Sequence, residues 1–206
     1  GALNSPIDTY SDDLFWMHMV QHMVIVMLAA PLLLLGAPVT LALRVSTPRV
    51  RRTYLIPLLH SRFVRGVTYP PLVLVLFIAA VWIWHLPALY EAAIEQSGLH
   101  FLEHAIFLTV ALLFWWLAIG VDATQHRPAY MGRVAILVFA ILQQIGLALF
   151  LSSVGEPSYD PYIAAAALRD WGPTAITDQR IGAGVMWVPG GMMLALAIIL
   201  NFYFWA

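Results

Sequence analysis

The sequence predicts an all-α membrane protein, a polytopic transmembrane helix bundle with about five spanning helices. Hydrophobic residues make up 62% of the chain, and the mean hydropathy is +0.83. Only 10% of the residues are charged, where a soluble domain has about a quarter. Backbone polar groups in lipid must be satisfied within the segment, so each apolar stretch of about 20 residues is expected to be a helix. We therefore expect a single transmembrane domain over the 206 residues of the chain.

Five apolar stretches in this chain are long enough to cross a bilayer. They are residues 14–43, 67–85, 99–121, 131–154 and 181–206, and residues 155–180 form a long loop before the last one. The first span contains Pro31 and Pro38 in its second half, which should kink it or end its regular helix. Pro189 followed by Gly190 predicts another break, or a close helix contact, in the last span.

The distribution of arginine predicts the orientation. Six of the ten basic residues, all of which are Arg, lie between the first and second spans, so this connection is expected on the cytoplasmic side. Alternation then places the N-terminus and residues 155–180 on the non-cytoplasmic side. Trp residues at both ends of the spans are consistent with interfacial aromatic belts. We expect a multi-pass protein whose first partner is the lipid bilayer.

Composition also restricts the function. The chain contains no Cys, which excludes disulfides and thiolate metal sites and leaves His, Met, Asp and Glu as metal ligands. The net charge of −1 and the absence of a basic helical face argue against nucleic-acid binding.

Histidines provide the main functional signal. Five of the seven are predicted near the outer ends of the first three spans: His18, His22, His85, His100 and His104. Two pairs have the i, i+4 spacing that places both side chains on one helix face, where they can chelate one ion. At a rise of about 1.5 Å per residue, the first pair lies roughly 6 and 12 Å below the membrane surface, and the second pair enters from the same side to a similar depth. The two pairs should therefore meet.

The ligand types favour copper. We predict His18, His22, His100 and His104 as ligands, with His85, Asp178 and Met186 as auxiliary ligands or orienting groups. Imidazole suits copper, zinc and iron, whereas thioether sulfur favours Cu(I), so histidine with methionine and no Cys favours copper. Zinc and haem b are the alternatives. Glu103 lies about 100° around the helix from His104, and it either orients a ligand histidine or faces another helix.

Two other interpretations of the histidines stay open. Paired imidazoles from different helices are a common axial ligand set for haem, although residues four apart fit an ion cluster better than two haems. The histidines could also form a purely structural hydrogen-bonded network, but ionisable groups at membrane depth are functional by default.

Several short motifs together resemble the CtaG family of cytochrome c oxidase assembly factors. In chain order they are His18-Met-Val-Gln-His22, Ala30-Pro31, Gly36-Ala37-Pro38, His85-Leu86-Pro87, His100 with His104, and Asp178-Gln179 followed by Met186-Trp187-Val188-Pro189-Gly190-Gly191. The resemblance covers residues 16–191. Members of this family usually have additional spans, and this chain starts with Gly1, which is consistent with a processed or truncated N-terminus.

The resemblance implies an accessory protein of the bacterial plasma membrane rather than an enzyme. It implies a metallochaperone role, in which copper is supplied to a haem-copper oxidase. The expected partners are oxidase subunits or a periplasmic copper donor, in a homo-oligomer or a larger membrane complex. The competing functions are a haem-binding electron-transfer subunit and a structural subunit of a larger membrane complex.

Overall fold

A computed structural model describes residues 6–120, 122 and 125–205, and no strand occurs among them. The helices are α1 (Pro6–Ser11), α2 (Phe15–Met23), α3 (Ala30–Leu35), α4 (Pro38–Val45), α5 (Pro48–Val50), α6 (Ile56–Leu59), α7 (Arg62–Val67), α8 (Pro70–Trp84), α9 (Pro87–Glu95), α10 (Ser97–Ile119), α11 (Tyr130–Ser153), α12 (Asp160–Leu168) and α13 (Ala175–Trp205). Two π-helical stretches, Val24–Ala29 and Arg51–Leu55, join α2 to α3 and α5 to α6. The prediction of an all-α fold is confirmed.

Four helical segments are long and apolar enough to cross a membrane: Phe15–Val45, Ser97–Ile119, Tyr130–Ser153 and Ala175–Trp205. A fifth is formed if α8 and α9, which meet at an angle of 74°, are taken as one broken span. These segments are compatible with a multi-pass membrane protein. Each corresponds to one of the predicted spans, and the predicted span ends at 121 and 206 lie outside the described residues.

The last helix begins earlier than hydropathy indicated, at Ala175 rather than at residue 181. Its first turns carry polar side chains, which lower hydropathy but do not prevent helix formation. Residues 155–180, predicted as one loop, therefore include α12 and the start of α13. The helix continues through Pro189 without a break. Gly190 instead makes the close contact that was the other expectation, since a Cβ there would collide with the side-chain amide of Gln144.

The first segment is interrupted twice, in the half where proline was expected to disturb it. Pro31 lies in the first turn of α3, directly after the π-helical stretch, in which the Ala30 N–H donates to the carbonyl of Ile25. A proline ring clashes with the carbonyl four residues before it, and a wider π turn relieves such crowding. The second break follows Gly36, where Ala37 adopts a left-handed φ of +47° and Pro38 begins α4.

A carboxylate from a distant part of the chain caps α4. Asp122 accepts hydrogen bonds from the backbone N–H groups of Val39 and Thr40, both at 2.8 Å. The first N–H groups of a helix have no partner within it and carry partial positive charge, so an ionised carboxylate is a favourable partner. This contact connects the residues after α10 to the start of α4.

The core is organised around α10 and α13. Helix α10 packs on α8, α3 and the π-helical stretch that precedes α3, and α13 packs along α11 and against α2. The indole N–H of Trp115 donates to the carbonyl of Val26 at 2.8 Å, which fixes α10 to the first segment. Gly182 allows α13 to approach α2, because a Cβ at this position would overlap the ring of Phe15. These contacts hold α10 and α13 against the first segment.

Candidate metal centre

The two predicted histidine pairs meet at the contact between α2 and α10. Ring centroids are 4.3 Å apart within each pair, for His18 with His22 and for His100 with His104. Between the helices, the rings of His18 and His100 are 5.2 Å apart and those of His22 and His104 are 5.1 Å apart. The first residue of each pair therefore lies beside the first of the other, so the two helices run in the same direction here. The four imidazoles form one group.

Glu103 completes this group. Its two carboxylate oxygens lie 3.9 Å from Nε2 of His18 and 3.9 Å from Nε2 of His22, and only 1% of the residue is exposed. One ligand atom from each of His18, His22, His100 and Glu103 lies within 4.8 Å of every other. We refer to the four histidines and Glu103 as the histidine cluster. Of the two orientations left open for Glu103, the structure shows the one that faces the histidines.

The polar atoms of the cluster are poorly supplied with hydrogen bonds. In the part of the chain that the structure describes, both ring nitrogens of His18, both of His22 and Oε2 of Glu103 are buried without a hydrogen-bond partner. Most buried polar groups in folded proteins have such a partner, and an orphaned one costs about 1–3 kcal/mol. A metal ion is bound by nitrogen and oxygen lone pairs that point to one place and are not already used in hydrogen bonds. The geometry of the cluster therefore fits a cation.

His85 is held beside the cluster by the end of α8. Its Nδ1 lies 2.6 Å from the carbonyl oxygen of Val81. Because a carbonyl can only accept, Nδ1 carries the proton, and Nε2 keeps the lone pair that would coordinate an ion. Nε2 has no hydrogen-bond partner among the described residues. His85 and Met186 both line a small cavity of about 30 Å³ that also reaches His22. The two residues are therefore adjacent to the cluster rather than part of it.

Asp178 caps the helix that carries His18. Its oxygens accept hydrogen bonds from the backbone N–H groups of Phe15, at 2.9 Å, and Trp16, at 3.0 Å, and Arg169 lies 3.8 Å away. Asp178 is fully buried in this arrangement. Both of its oxygens are engaged at the start of α2, so of the two roles predicted for it, auxiliary ligand or orienting group, this contact corresponds to the orienting one.

Comparison with known proteins places the whole chain in one family. The family model for the cytochrome c oxidase caa3 assembly factor matches residues 1–206. The chain belongs to this family. The resemblance noted from the sequence motifs is confirmed.

Similar proteins occur in mycobacteria. Uncharacterized protein Mb0105 of Mycobacterium bovis and uncharacterized protein MT0111 of Mycobacterium tuberculosis are each 32% identical over 213 residues, which is 98% of this chain and 31% of theirs. Uncharacterized protein ML1998 of Mycobacterium leprae is 27% identical over 98% of this chain and 32% of its own length. The chain thus spans about a third of the length of these relatives. No solved structure matches it.

In this member of the family, a layer of aromatic residues covers one side of the cluster: Tyr90, which belongs to the motif that follows His85, and Tyr159 and Tyr162, which sequence reasoning did not single out. The Tyr90 ring is 5.2 Å from that of His18, and its hydroxyl is 3.2 Å from that of Tyr162. Tyr159 donates to the carbonyl oxygen of His85 at 3.0 Å. Burial raises the pKa of both Tyr159 and Tyr162, so both stay neutral. Because these two tyrosines lie in a segment predicted as loop, periodicity offered no signal for them.

The glutamate, in contrast, had a signal. Glu103 follows His100 by three residues and precedes His104 by one, and residues at i, i+3 and i+4 share one helix face. Gln144 joins α11 to α13, because its side-chain amide donates to the carbonyl oxygen of Met186.

Proposed function

We propose that this assembly factor binds a copper ion in the histidine cluster and supplies it to a haem-copper oxidase during assembly. The observation that carries the proposal is the convergence of three imidazoles and one carboxylate within 4.8 Å, with the ring of His104 beside them. The ring nitrogens of His18 and His22 are buried there without a hydrogen-bond partner among the described residues. The family name supports an oxidase-related partner and suggests a non-catalytic role.

The size of the cluster is right for a single ion. Ligand nitrogens and oxygens lie about 2 Å from such a metal, so ligands on opposite sides of an ion are about 4 Å apart. The observed spread of up to 4.8 Å needs only small side-chain rotations to close. Glu103 offsets part of the charge that the ion brings into a buried site, where an unpaired cation would be costly.

Copper is favoured over zinc by the neighbouring sulfur. Imidazole and carboxylate ligands accept either ion, and thioethers favour Cu(I). Met186 lines the cavity that adjoins His22, as expected from the sequence. A zinc ion bound by imidazole and carboxylate ligands would not need a thioether beside it.

An ion fits better than haem b. The rings of His18 and His100 are stacked with their centroids 5.2 Å apart, and the cavity beside the cluster measures only about 30 Å³. Sites for larger organic ligands commonly measure about 300–1,000 Å³. The chain has a cleft of about 520 Å³ between α10, α11 and α13, but no histidine is among its described lining residues.

Transfer of copper requires a route to the cluster. The start of α10 is exposed, and His100 is partly exposed one turn further on, whereas His18 and His22 are buried. We propose that this end of the bundle faces the non-cytoplasmic side, as the arginine-rich connection at the other end of the first segment indicates. A periplasmic donor and the oxidase would then approach the same end.

The decisive experiment is elemental analysis of the protein purified in a mild detergent and loaded with copper. With the copper supplied as Cu(II), which thioethers do not favour, we expect one bound copper per chain, and none when His18, His22, His100 and His104 are all replaced by Ala. The matched control is His60→Ala, because His60 is exposed and lies apart from the cluster. Circular dichroism checks that each variant keeps its helical content.

Two outcomes would contradict the proposal. Copper content unchanged in the fourfold variant would end it. A Soret absorption band in the purified protein that disappears on replacement of one cluster histidine would favour haem instead.

A further inference from the structure

A second feature beside the histidine cluster is rich in sulfur. Four of the eight methionines line the cavity of about 30 Å³: Met19, Met23, Met27 and Met186. The imidazoles of His22 and His85 reach the same cavity. Met19, Met27 and Met186 are each at most 3% exposed. Methionine is a common filler of cores, but filler closes gaps, and here four flexible thioethers surround a gap instead.

The methionines of the first segment line the cavity because the helix there is not a regular α-helix. In a regular α-helix, residues eight apart differ by about 80° around the axis, so Met27 would turn away from Met19. The π-helical stretch Val24–Ala29 begins between them and contains Met27, and its wider turn reduces the rotation per residue. Three methionines at intervals of four residues therefore face one cavity. π-Helical turns occur frequently at functional sites.

The side chain of Gln144 contacts two of the methionines that line the cavity. Its amide donates to the carbonyl oxygen of Met186 and lies 3.8 Å from the sulfur of Met23. It thereby contacts both helices that supply thioethers. The methionines of α2 and α13 are thus held on opposite sides of the same space.

We propose that this cavity is a second metal site, specific for a soft monovalent ion such as Cu(I), and that it exchanges the ion with the histidine cluster through His22. The donors are thioether sulfurs together with Nε2 of His85, a set that suits Cu(I). His22 belongs to both places. Movement of Cu(I) between them breaks bonds to imidazole nitrogen as bonds to sulfur form, and no electron is exchanged.

This inference rests on the proposed copper-binding function, but a different probe tests it. Ag(I) is a soft monovalent ion that does not change oxidation state under these conditions. The purified chain is loaded with Ag(I), and X-ray absorption at the silver edge reports whether sulfur surrounds the ion. The test variant replaces Met23, Met27 and Met186 by Leu, which conserves volume. The matched control replaces Met131 and Met192, both exposed, by Leu.

We expect silver–sulfur scattering in the wild type and in the control. In the triple variant the sulfur neighbours of the ion should fall to at most one, that of Met19, and the affinity for Ag(I) should fall by at least about tenfold. Zn²⁺ binding by the histidine cluster should stay unchanged. A wild-type spectrum with only nitrogen and oxygen neighbours would overturn the inference even if the triple variant fails to fold. Sulfur scattering unchanged in a folded triple variant would overturn it as well.

The same measurements separate this inference from the proposed function. The proposed function fails and the sulfur site stands if the wild type binds no divalent ion at the histidine cluster, while Ag(I) has sulfur neighbours that the triple variant loses. The sulfur site fails and the proposed function stands if divalent binding depends on the cluster histidines, while Ag(I) in the wild type has no sulfur neighbours.

Discussion

Replacement of Asp178 by Asn separates a helix cap from a metal ligand. Asp178 is fully buried and accepts two backbone hydrogen bonds at the start of α2, at 2.9 and 3.0 Å. A hydrogen bond to a charged group contributes about 1.5–3 kcal/mol net, and a negative charge at a helix N-terminus adds about 0.3–1 kcal/mol. Asn keeps one acceptor but loses the other and the charge. We expect the free energy of unfolding to fall by about 2–4 kcal/mol.

The assay is denaturant unfolding in detergent, followed by circular dichroism, with copper content measured at saturating copper. Asp122→Asn is the matched control, because Asp122 caps α4 through two backbone N–H groups in the same way. Both variants should lose similar stability and keep their copper. Loss of copper from Asp178→Asn, with a free energy of unfolding within about 0.5 kcal/mol of the wild type, would refute the reasoning and restore Asp178 as a ligand.

Three further predictions concern the cluster and its surroundings. Glu103→Gln keeps the size of the side chain but removes a charge 3.9 Å from two imidazoles, so copper affinity in a chelator competition should fall by about 10- to 100-fold; unchanged affinity would exclude Glu103 from the site. Gly182→Ala places a methyl group into an aromatic ring of α2 and should lower the free energy of unfolding by about 1–3 kcal/mol, whereas Gly184→Ala, in open space, should not lower it. Tyr159→Phe removes the donor to the His85 carbonyl and should cost about 1 kcal/mol in the same unfolding assay, with copper content preserved; a loss of copper would show that the tyrosine positions His85.

The fold and the meeting of the histidine pairs were predictable because both follow from simple periodicities. Span length requires only the thickness of the bilayer and the rise of a helix. Spans one and three start on the same side, so pairs near the start of each reach the same depth. The structure shows this arrangement directly, with His18 beside His100 and His22 beside His104.

The role of Asp178 was not predictable in the same way. A carboxylate next to an apolar run looks the same whether it binds a metal or caps a helix, and its partners here lie 163 and 162 residues away in the chain. Hydropathy also assigned the first turns of α13 to a loop, since it measures the side chains and not the backbone. Long-range partners of buried polar groups become visible only when the helices are packed.

The contrast between polar groups in this bundle is the physical reason for regarding the histidine cluster as the candidate functional site. Gln179 donates to the carbonyl oxygen of Leu151 and Asn201 donates to that of Ala118, so these buried amides are satisfied by the protein itself. His18 and His22 lie as deep, yet their ring nitrogens have no such partner in the described chain. At about 1–3 kcal/mol for each orphaned group, this arrangement weakens the fold unless something binds there. An ion that supplied the missing interactions would stabilise the folded chain by its own binding energy.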